Sequence, residues 1–316
     1  MNLATGSLLV CLRAEQVLEC RLQRPLQAVG ELLLRQSPAL ACDQLPLLFS
    51  VCGHAHRLAG RLACGLWRLH HPDDQAQLRQ AVRELIVEQL RERMLHLIRD
   101  WQLPLSVRVL PAWLAALAAG QPVTALVSDT ELALWRAQLQ RDWQPLEGLQ
   151  MPALGGNWQA FGPDQASPQQ AFAGSAARRL AATGGQPLTE VLLQIAGDAW
   201  LECQRGINWL QSHDAPLSDW LVLRSRCDDL SITRQGWVLT SRGWLCHEIK
   251  NEAGQRDWQI LAPTDVNFGG DLLASLMAVD TRDSQQRQTL LSWLLRALDP
   301  CLAVTIHRGE GEAADA

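Results

Sequence analysis

The chain has 316 residues, 47% of them hydrophobic, enough for one large or two ordinary domains with a sizeable core. A net charge of −5 argues against a nucleic-acid or anionic-membrane surface, either of which needs a basic patch. Nine cysteines, an odd number scattered without a CxxC pair, suit reduced thiols better than a disulfide framework.

The opening MNLATGSLLVCLRAEQ has no basic flank before its apolar run and no small-residue cleavage site. No later segment approaches the roughly 20 apolar residues that a membrane span needs. A cytoplasmic protein is the expectation. Residues 7–12 and 17–22, SLLVCL and VLECRL, read as an opening hairpin, and an apolar-periodic helix follows from Leu26 to Leu34, ending near Ser37-Pro38. From Asp73 to Trp101 the residues Leu78, Val82, Leu85, Ile86, Leu90, Met94 and Leu97 keep helical spacing, with Asp73 or Asp74 placed to cap the N-terminus. His96, near its end, reads as a packing residue. Helical patterns recur at 111–119, 129–142 and 187–211, and the Gly/Pro/Gln-rich stretch 154–170 reads as a loop. Beyond 218 the period shifts toward alternation: WVLTSRGWLCHEI and RDWQILAP, separated by NEAGQ, predict a β-hairpin or small sheet. A helix over about 284–298 leads into DPC, and the polar tail, about 308–316, is expected to fray.

The chemistry concentrates in two runs, FSVCGHAHRLAG around Cys52 and DPCLAVTIH around Cys301. A zinc site wants a second Cys or His pair at comparable spacing, and neither run supplies one alone. The two runs together make a candidate single site, to which His54 and His56 could add ligands.

Taken in order, VGELLLRQSP, LLFSVCGHAH, TSRGWLCHEI, ILAPTDVNF and LDPCLAVTIH resemble the signatures of the [NiFe]-hydrogenase large subunit: RGxE, RxCGxCxxxH, APRG, APTxWNF and DPCxxCxxH. The resemblance runs from about residue 28 to 307, with much of the middle unmatched and a chain shorter than a typical large subunit. In that family each end supplies two cysteines, a terminal metal ligand and a thiolate that bridges nickel and iron. Here Cys52 and Cys301 hold the terminal positions, while Ala55 and Val304 replace the bridges; Ser50 and Ala59 stand where the first motif has Arg and His. Retained terminal cysteines with lost bridges are similar to the HupK/HoxV family, large-subunit-like accessory proteins of hydrogenase maturation.

That resemblance implies one α+β, mainly α, large-subunit-like domain over 1–316, a helical bundle with a small β-hairpin or sheet, whose N- and C-terminal motifs meet at its centre. It implies no catalysis: the protein would transiently hold an Fe(CN)2(CO) fragment, without nickel, on Cys52 and Cys301. Two soft thiolates suit an iron that already carries strong-field ligands, whereas a bimetallic centre needs two shared thiolates. The cyanide nitrogens need donors in a dry pocket, and the matched positions nominate Arg242 and Thr264, with Pro263 fixing the turn and Asp299 in the DPC motif. Glu31 stands at the acid of RGxE and equally fits the polar edge of a helix. His307 matches the histidine at which a mature large subunit ends, and equally fits a surface position. Arg242 could instead pair with Glu248 or Asp257 on a hairpin surface, and Arg242→Leu is expected to leave the fold intact. The implied partners are the maturation complex that supplies the fragment and the large-subunit precursor that receives it, with no nucleic acid and no membrane. The alternatives are a metal-free chaperone of the precursor, or a hydrogenase-type enzyme.

Overall fold

The structure, a computed structural model, describes residues 6–13, 16–154, 159–163, 171–172, 174–212, 215–228 and 231–308. It is an α+β fold, mainly α. In chain order the elements are β1 (Ser7–Arg13), β2 (Gln16–Gln23), α1 (Leu26–Leu34), α2 (Pro38–Leu48), α3 (Gly53–Ala63), α4 (Pro72–Arg99), α5 (Leu110–Ala118), α6 (Asp129–Asp142) and the two-residue β3 (Gln159–Ala160) and β4 (Ala171–Phe172). Then come α7 (Gly174–Ala182), α8 (Leu188–Gln211), β5 (Leu221–Cys227), β6 (Ser231–Thr240), β7 (Gly243–Glu252), β8 (Gln255–Leu261), α9 (Pro263–Phe268), α10 (Leu272–Leu276), α11 (Ser284–Leu298) and β9 (Ala303–Arg308).

The helical core forms where the apolar period is strongest. On α4 the residues Leu78, Val82, Leu85, Ile86, Leu90, Met94 and Leu97 are buried, and α8, which packs against α4, buries Val191, Leu192, Ile195, Ala196, Ala199 and Cys203. Helix α6 starts at a capping box in which Ser128 Oγ accepts from Glu131 N–H (3.3 Å) and Glu131 returns an acceptor to Ser128 N–H (2.8 Å). The start of α4 differs from expectation. Pro72 opens it after His71, no side chain caps it, and Asp74 instead accepts from the backbone N–H of Arg68 at 3.0 Å. Proline at the first helical position needs no partner for a missing N–H, which is why the helix begins one residue early.

Two sheets place the chain's two ends. In the first, β1 lies between antiparallel β2 and parallel β9, with Leu8 opposite Val304 and Cys11 opposite His307. Leu8, Val10 and Leu12 point into the core with the period of two that a one-sided strand requires. The second is an antiparallel meander in the order β5-β6-β7-β8, and the WVLTSRGWLCHEI segment is itself a hairpin that turns at Ser241-Arg242. Helix α3 lies against β6 so closely that a Cβ on Gly236 would stand 2.1 Å from the carbonyl oxygen of Ala59. Only a glycine permits that approach, and it fixes the helix that begins at Cys52. Of the expected loop 154–170, residues 155–158 and 164–170 fall outside the described residues, as does the tail from 309. Among the described residues no helix is long and apolar enough to cross a membrane.

Candidate functional site

Cys52 stands at the N-cap of α3 and Arg242 in the β6–β7 turn, and the fold brings the two together. Thr240 shapes that turn: its hydroxyl donates to the Gly243 carbonyl at 2.7 Å and accepts from Arg242 N–H at 3.2 Å. The Arg242 side chain is 8% exposed and divides its donors. Nε meets Asp299, with the backbone carbonyl at 2.9 Å and Oδ2 at 3.0 Å, and Nη2 reaches Oδ1 at 3.3 Å. Nη1 points the other way, 3.9 Å from Cys52 Sγ and 3.4 Å from Ser241 Oγ. Burial opposes the guanidinium's charge, but Asp299 and the thiols of Cys52 and Cys301 outweigh it and hold Arg242 firmly protonated. The expected surface partners are engaged elsewhere. Glu248 takes Gln235 and Lys250, and Asp257 takes Gln259.

Asp299 ends α11 in the left-handed conformation (φ 45°, ψ 66°), which aspartate tolerates better than most residues, and Pro300 then prevents further helix. Arg242 therefore serves both the last turn of α11, whose carbonyls carry partial negative charge, and the carboxylate that follows it. His96 braces the far side, with Nδ1 2.8 Å from Asp100 and 3.5 Å from Asp299 Oδ1. Trp101 Nε1–H donates to His96 Nε2 at 2.9 Å, so the neutral ring carries its proton on Nδ1, facing the carboxylates. His96 packs as expected and also supports the site.

Cys301 arrives two residues beyond Asp299, and Thr264 receives it. Thr264 Oγ1 lies 3.1 Å from Cys301 Sγ and 3.4 Å from its backbone nitrogen. Thr264 is 2% exposed in the first turn of α9, which Pro263 opens at N1. Asp265 closes that turn on the Ala262 N–H (3.1 Å) and pairs with Arg24 from β2's end at 3.0 Å. Cys52 feels the charge of Cys301 as well as that of Arg242. Burial pushes the Cys52 thiol well up, Arg242 only partly offsets it, and Cys301, Glu88 and Glu92 add to the rise.

Sequence reasoning missed Glu88. From α4 its carboxylate accepts the N–H groups of His54 (2.9 Å) and Ala55 (3.2 Å), capping the start of α3 from another helix. Burial raises it to about 7, against those two hydrogen bonds. Its signal was present: a lone acid on the buried stripe of α4, three residues after Leu85 and two before Leu90.

Four sequence candidates stay outside this cluster. Glu31 is exposed on α1, where the buried face is Val29, Gly30 and Leu33. His307 is exposed on β9. His54 lies in a half-exposed group with Arg57 (3.1 Å) and Glu84 (3.4 Å). His56 is buried, stacked on Phe49 with ring centroids 3.6 Å apart, and its Nδ1 meets His247 Nε2 at 2.9 Å. Among the described residues no group of three or more His, Cys, Asp or Glu side chains could hold a metal ion.

The His56–His247 pair makes a pH prediction. Trp258 Nε1–H donates to His247 Nδ1 at 3.1 Å, so neutral His247 carries its proton on Nε2 and donates to His56. Burial depresses His247 to about 3 from an ordinary 6.5, and burial followed by the charge of His247 depresses His56. A depressed histidine contributes stability that is complete above its unfolded value and lost as pH falls through the folded one. The urea midpoint should fall between pH 6.5 and about 3, and His247→Gln should flatten that slope relative to the parent protein. Parallel slopes for the two proteins would show that the pair does not titrate in that window.

No family model matches the chain. It is 31% identical, over an alignment 333 positions long, to "Hydrogenase expression/formation protein HupK" of Azotobacter vinelandii, covering 92% of this chain and 94% of that one. It is equally 31% identical to "Hydrogenase expression/formation protein HupV" of Azotobacter chroococcum mcd 1, over 92% and 94% of the two chains. Among solved structures, the Ni-Fe-Se hydrogenase of Desulfomicrobium baculatum superposes with a TM-score of 0.51 at 12% identity, covering 92% and 95%. The Ni-Fe-Se hydrogenase of D. vulgaris Hildenborough gives 0.50 at 13%, covering 92% and 94%. At such identities the likeness is one of fold: the chain has the architecture of a hydrogenase large subunit.

Proposed function

This chain belongs to the HupK family of hydrogenase expression/formation proteins, and from that premise we propose that it serves hydrogenase formation as a non-catalytic scaffold, holding an iron fragment for transfer to the large-subunit precursor. The cargo is iron that carries cyanide and carbon monoxide, bound by Cys52 and Cys301. The donor is the maturation complex that builds the fragment.

One observation carries this reading. Two thiols far apart in the sequence border one buried cluster: Cys52 Sγ lies 3.9 Å from Arg242 Nη1, Cys301 follows two residues after the Asp299 that binds Arg242, and no group of three or more His, Cys, Asp or Glu side chains that could hold a metal ion occurs among the described residues. Such a pair underfills the coordination of a bare metal ion and suits an iron that brings its own ligands. Arg242 commits Nε and Nη2 to Asp299 and leaves Nη1 for an acceptor beside Cys52, as a cyanide nitrogen requires. Thr264 offers a hydroxyl beside Cys301. Ala55 is buried with its N–H on Glu88, and Val304 lies at the surface of β9, so neither bridging position offers a thiolate to nickel.

The raised Cys52 thiol suits a carrier. Metal uptake must expel the thiol proton, and a proton that competes strongly lowers the apparent affinity at neutral pH. A scaffold benefits from that competition, because its cargo must leave.

The test is an infrared spectrum and metal analysis of protein produced anaerobically with the maturation machinery. Cyanide and carbon monoxide stretches with sub-stoichiometric iron and essentially no nickel are expected. Absence of iron and of those bands would leave the metal-free chaperone, while stoichiometric nickel or hydrogen uptake would make the protein an enzyme.

A further inference from the structure

A second pair of thiols faces each other away from Cys52 and Cys301. Cys42, fully buried on α2, and Cys64, half-buried at the C-terminal end of α3, hold their sulfurs 3.8 Å apart, and both are free thiols. The contact is built into the packing of the two helices. A Cβ on Gly60 would stand 3.3 Å from Cys42 Sγ, so the bare glycine on α3 makes room for the thiol. Arg61 of α3 pairs with Asp43 of α2 at 2.7 Å and clamps the same two helices beside the sulfurs.

The two thiols are chemically unequal. The Cys42 S–H donates to Cys64, and together with the nearby guanidinium groups of Arg256 and Arg234 this lowers the Cys64 thiol against the opposing effect of burial. Arg234 closes on this corner: a Cβ on Gly65, the residue after Cys64, would lie 2.6 Å from its Nη1. Cys42 keeps its proton, through that hydrogen bond and its burial. A partly accessible thiol whose thiolate is favoured, beside a protected thiol, is the arrangement of an attacking and a resolving cysteine.

We propose that Cys42 and Cys64 form a redox dithiol that a peroxide oxidises to an intramolecular disulfide between α2 and α3. The Cys64 thiolate attacks one peroxide oxygen, the O–O bond breaks, and hydroxide leaves to give the sulfenic acid. Cys42 loses its proton to that hydroxide, forming one water, and its thiolate attacks the Cys64 sulfur. The S–S bond forms as the S–O bond breaks, and the departing hydroxide takes a solvent proton. The proton count closes because the Cys64 thiol had already given one to solvent. In sum two thiols and one peroxide yield one disulfide and two waters, with two electrons passing from sulfur to oxygen. The sulfurs must close to about 2.05 Å. The link would tie α2 to the last turn of the helix that begins at Cys52.

Other pairs are less suited. Cys11 and Cys20 lie on neighbouring strands, but Cys11 stands opposite Glu19 and Cys20 opposite Val10, so their side chains project from opposite faces. Cys52, beside Arg242, and Cys301, beside Thr264, remain the internal competitor.

The experiment treats the purified full chain with a small excess of hydrogen peroxide, then counts thiols after denaturation and maps peptides by mass. The nine free thiols should fall by two, the mass by about 2 Da, and a peptide joining Cys42 to Cys64 should appear and vanish with dithiothreitol. Cys64→Ser should block that link, and Cys42→Ala should trap Cys64 as a sulfenic acid that reacts with dimedone. Nine surviving thiols, a link confined to Cys52 and Cys301, or a lasting Cys64 sulfenic acid in the unmutated protein would each overturn the proposal. The unmutated protein alone supplies these outcomes, so a poorly folding variant does not obscure them.

Discussion

Replacing Cys52 or Cys301 by alanine should abolish the cyanide and carbon monoxide bands and reduce bound iron to background, while the fold survives. One thiolate anchors an iron fragment through a single bond, and no other His, Cys, Asp or Glu cluster among the described residues can replace the lost one. The loss should therefore be complete in each single variant, and the double variant should show nothing further. The fold should tolerate the change because both residues are only partly buried: Cys52 packs against the edge of the apolar core, and Cys301 lies in the turn after α11. Cys301→Ala also leaves Thr264 Oγ1 with the backbone N–H of residue 301 as a partner. Iron and band intensities are read against the unfolding midpoint of the same preparations. Persistent bands in either variant, with a normal midpoint, would remove that cysteine from the site.

The large helices were legible because their information is local. Residues 78 to 97 declare one buried face by spacing alone, and α4, α8 and α11 lie where the period places them. Helix α3 was not legible as an element: GHAH is a poor helix start, and the capping that secures it comes from Glu88, far along the chain. Strand β9 was hidden for a related reason, since its partner β1 sits at the other end of the sequence and a parallel pairing leaves no turn signature. Motif order nominated Cys52, Arg242, Thr264, Asp299 and Cys301, and the fold gathers these five around one turn of sheet and three helix ends. The same motif order also nominated Glu31 and His307, which lie exposed, because a motif match fixes a position in the chain but not the phase of the helix or strand that carries it. What motif order could not supply was the Arg242–Asp299 contact, and with it the stability of the site.

That contact reverses one expectation. Arg242→Leu, expected from sequence to spare the fold, removes the cation from a pair whose side chains are 8% and 19% exposed, and leaves Asp299 Oδ1 facing His96 Nδ1 at 3.5 Å. Breaking one side of a buried pair costs about 3–5 kcal/mol, and here it also strips a donor from the end of α11. The urea unfolding free energy should fall by about that amount, so low iron in this variant would by itself say nothing about the cargo. A second substitution separates the two roles. Asp299→Asn removes the orphaned charge and tolerates the left-handed conformation at φ 45°, so Arg242→Leu with Asp299→Asn should recover part of the lost stability, the coupling that a double-mutant cycle measures. It should recover none of the iron, because Nη1, the donor facing Cys52, is still missing. One charge-assisted donor to a buried acceptor is worth about 1.5–3 kcal/mol, or roughly one to two orders of magnitude in affinity. Arg242→Lys should fall between, keeping the charge but losing the fork that serves Asp299 and the site at once. If the double variant regained iron along with stability, Arg242 would be a brace for α11 and the cyanide ligands would need another donor; Thr264, 3.1 Å from Cys301 Sγ, is where that donor would have to be sought.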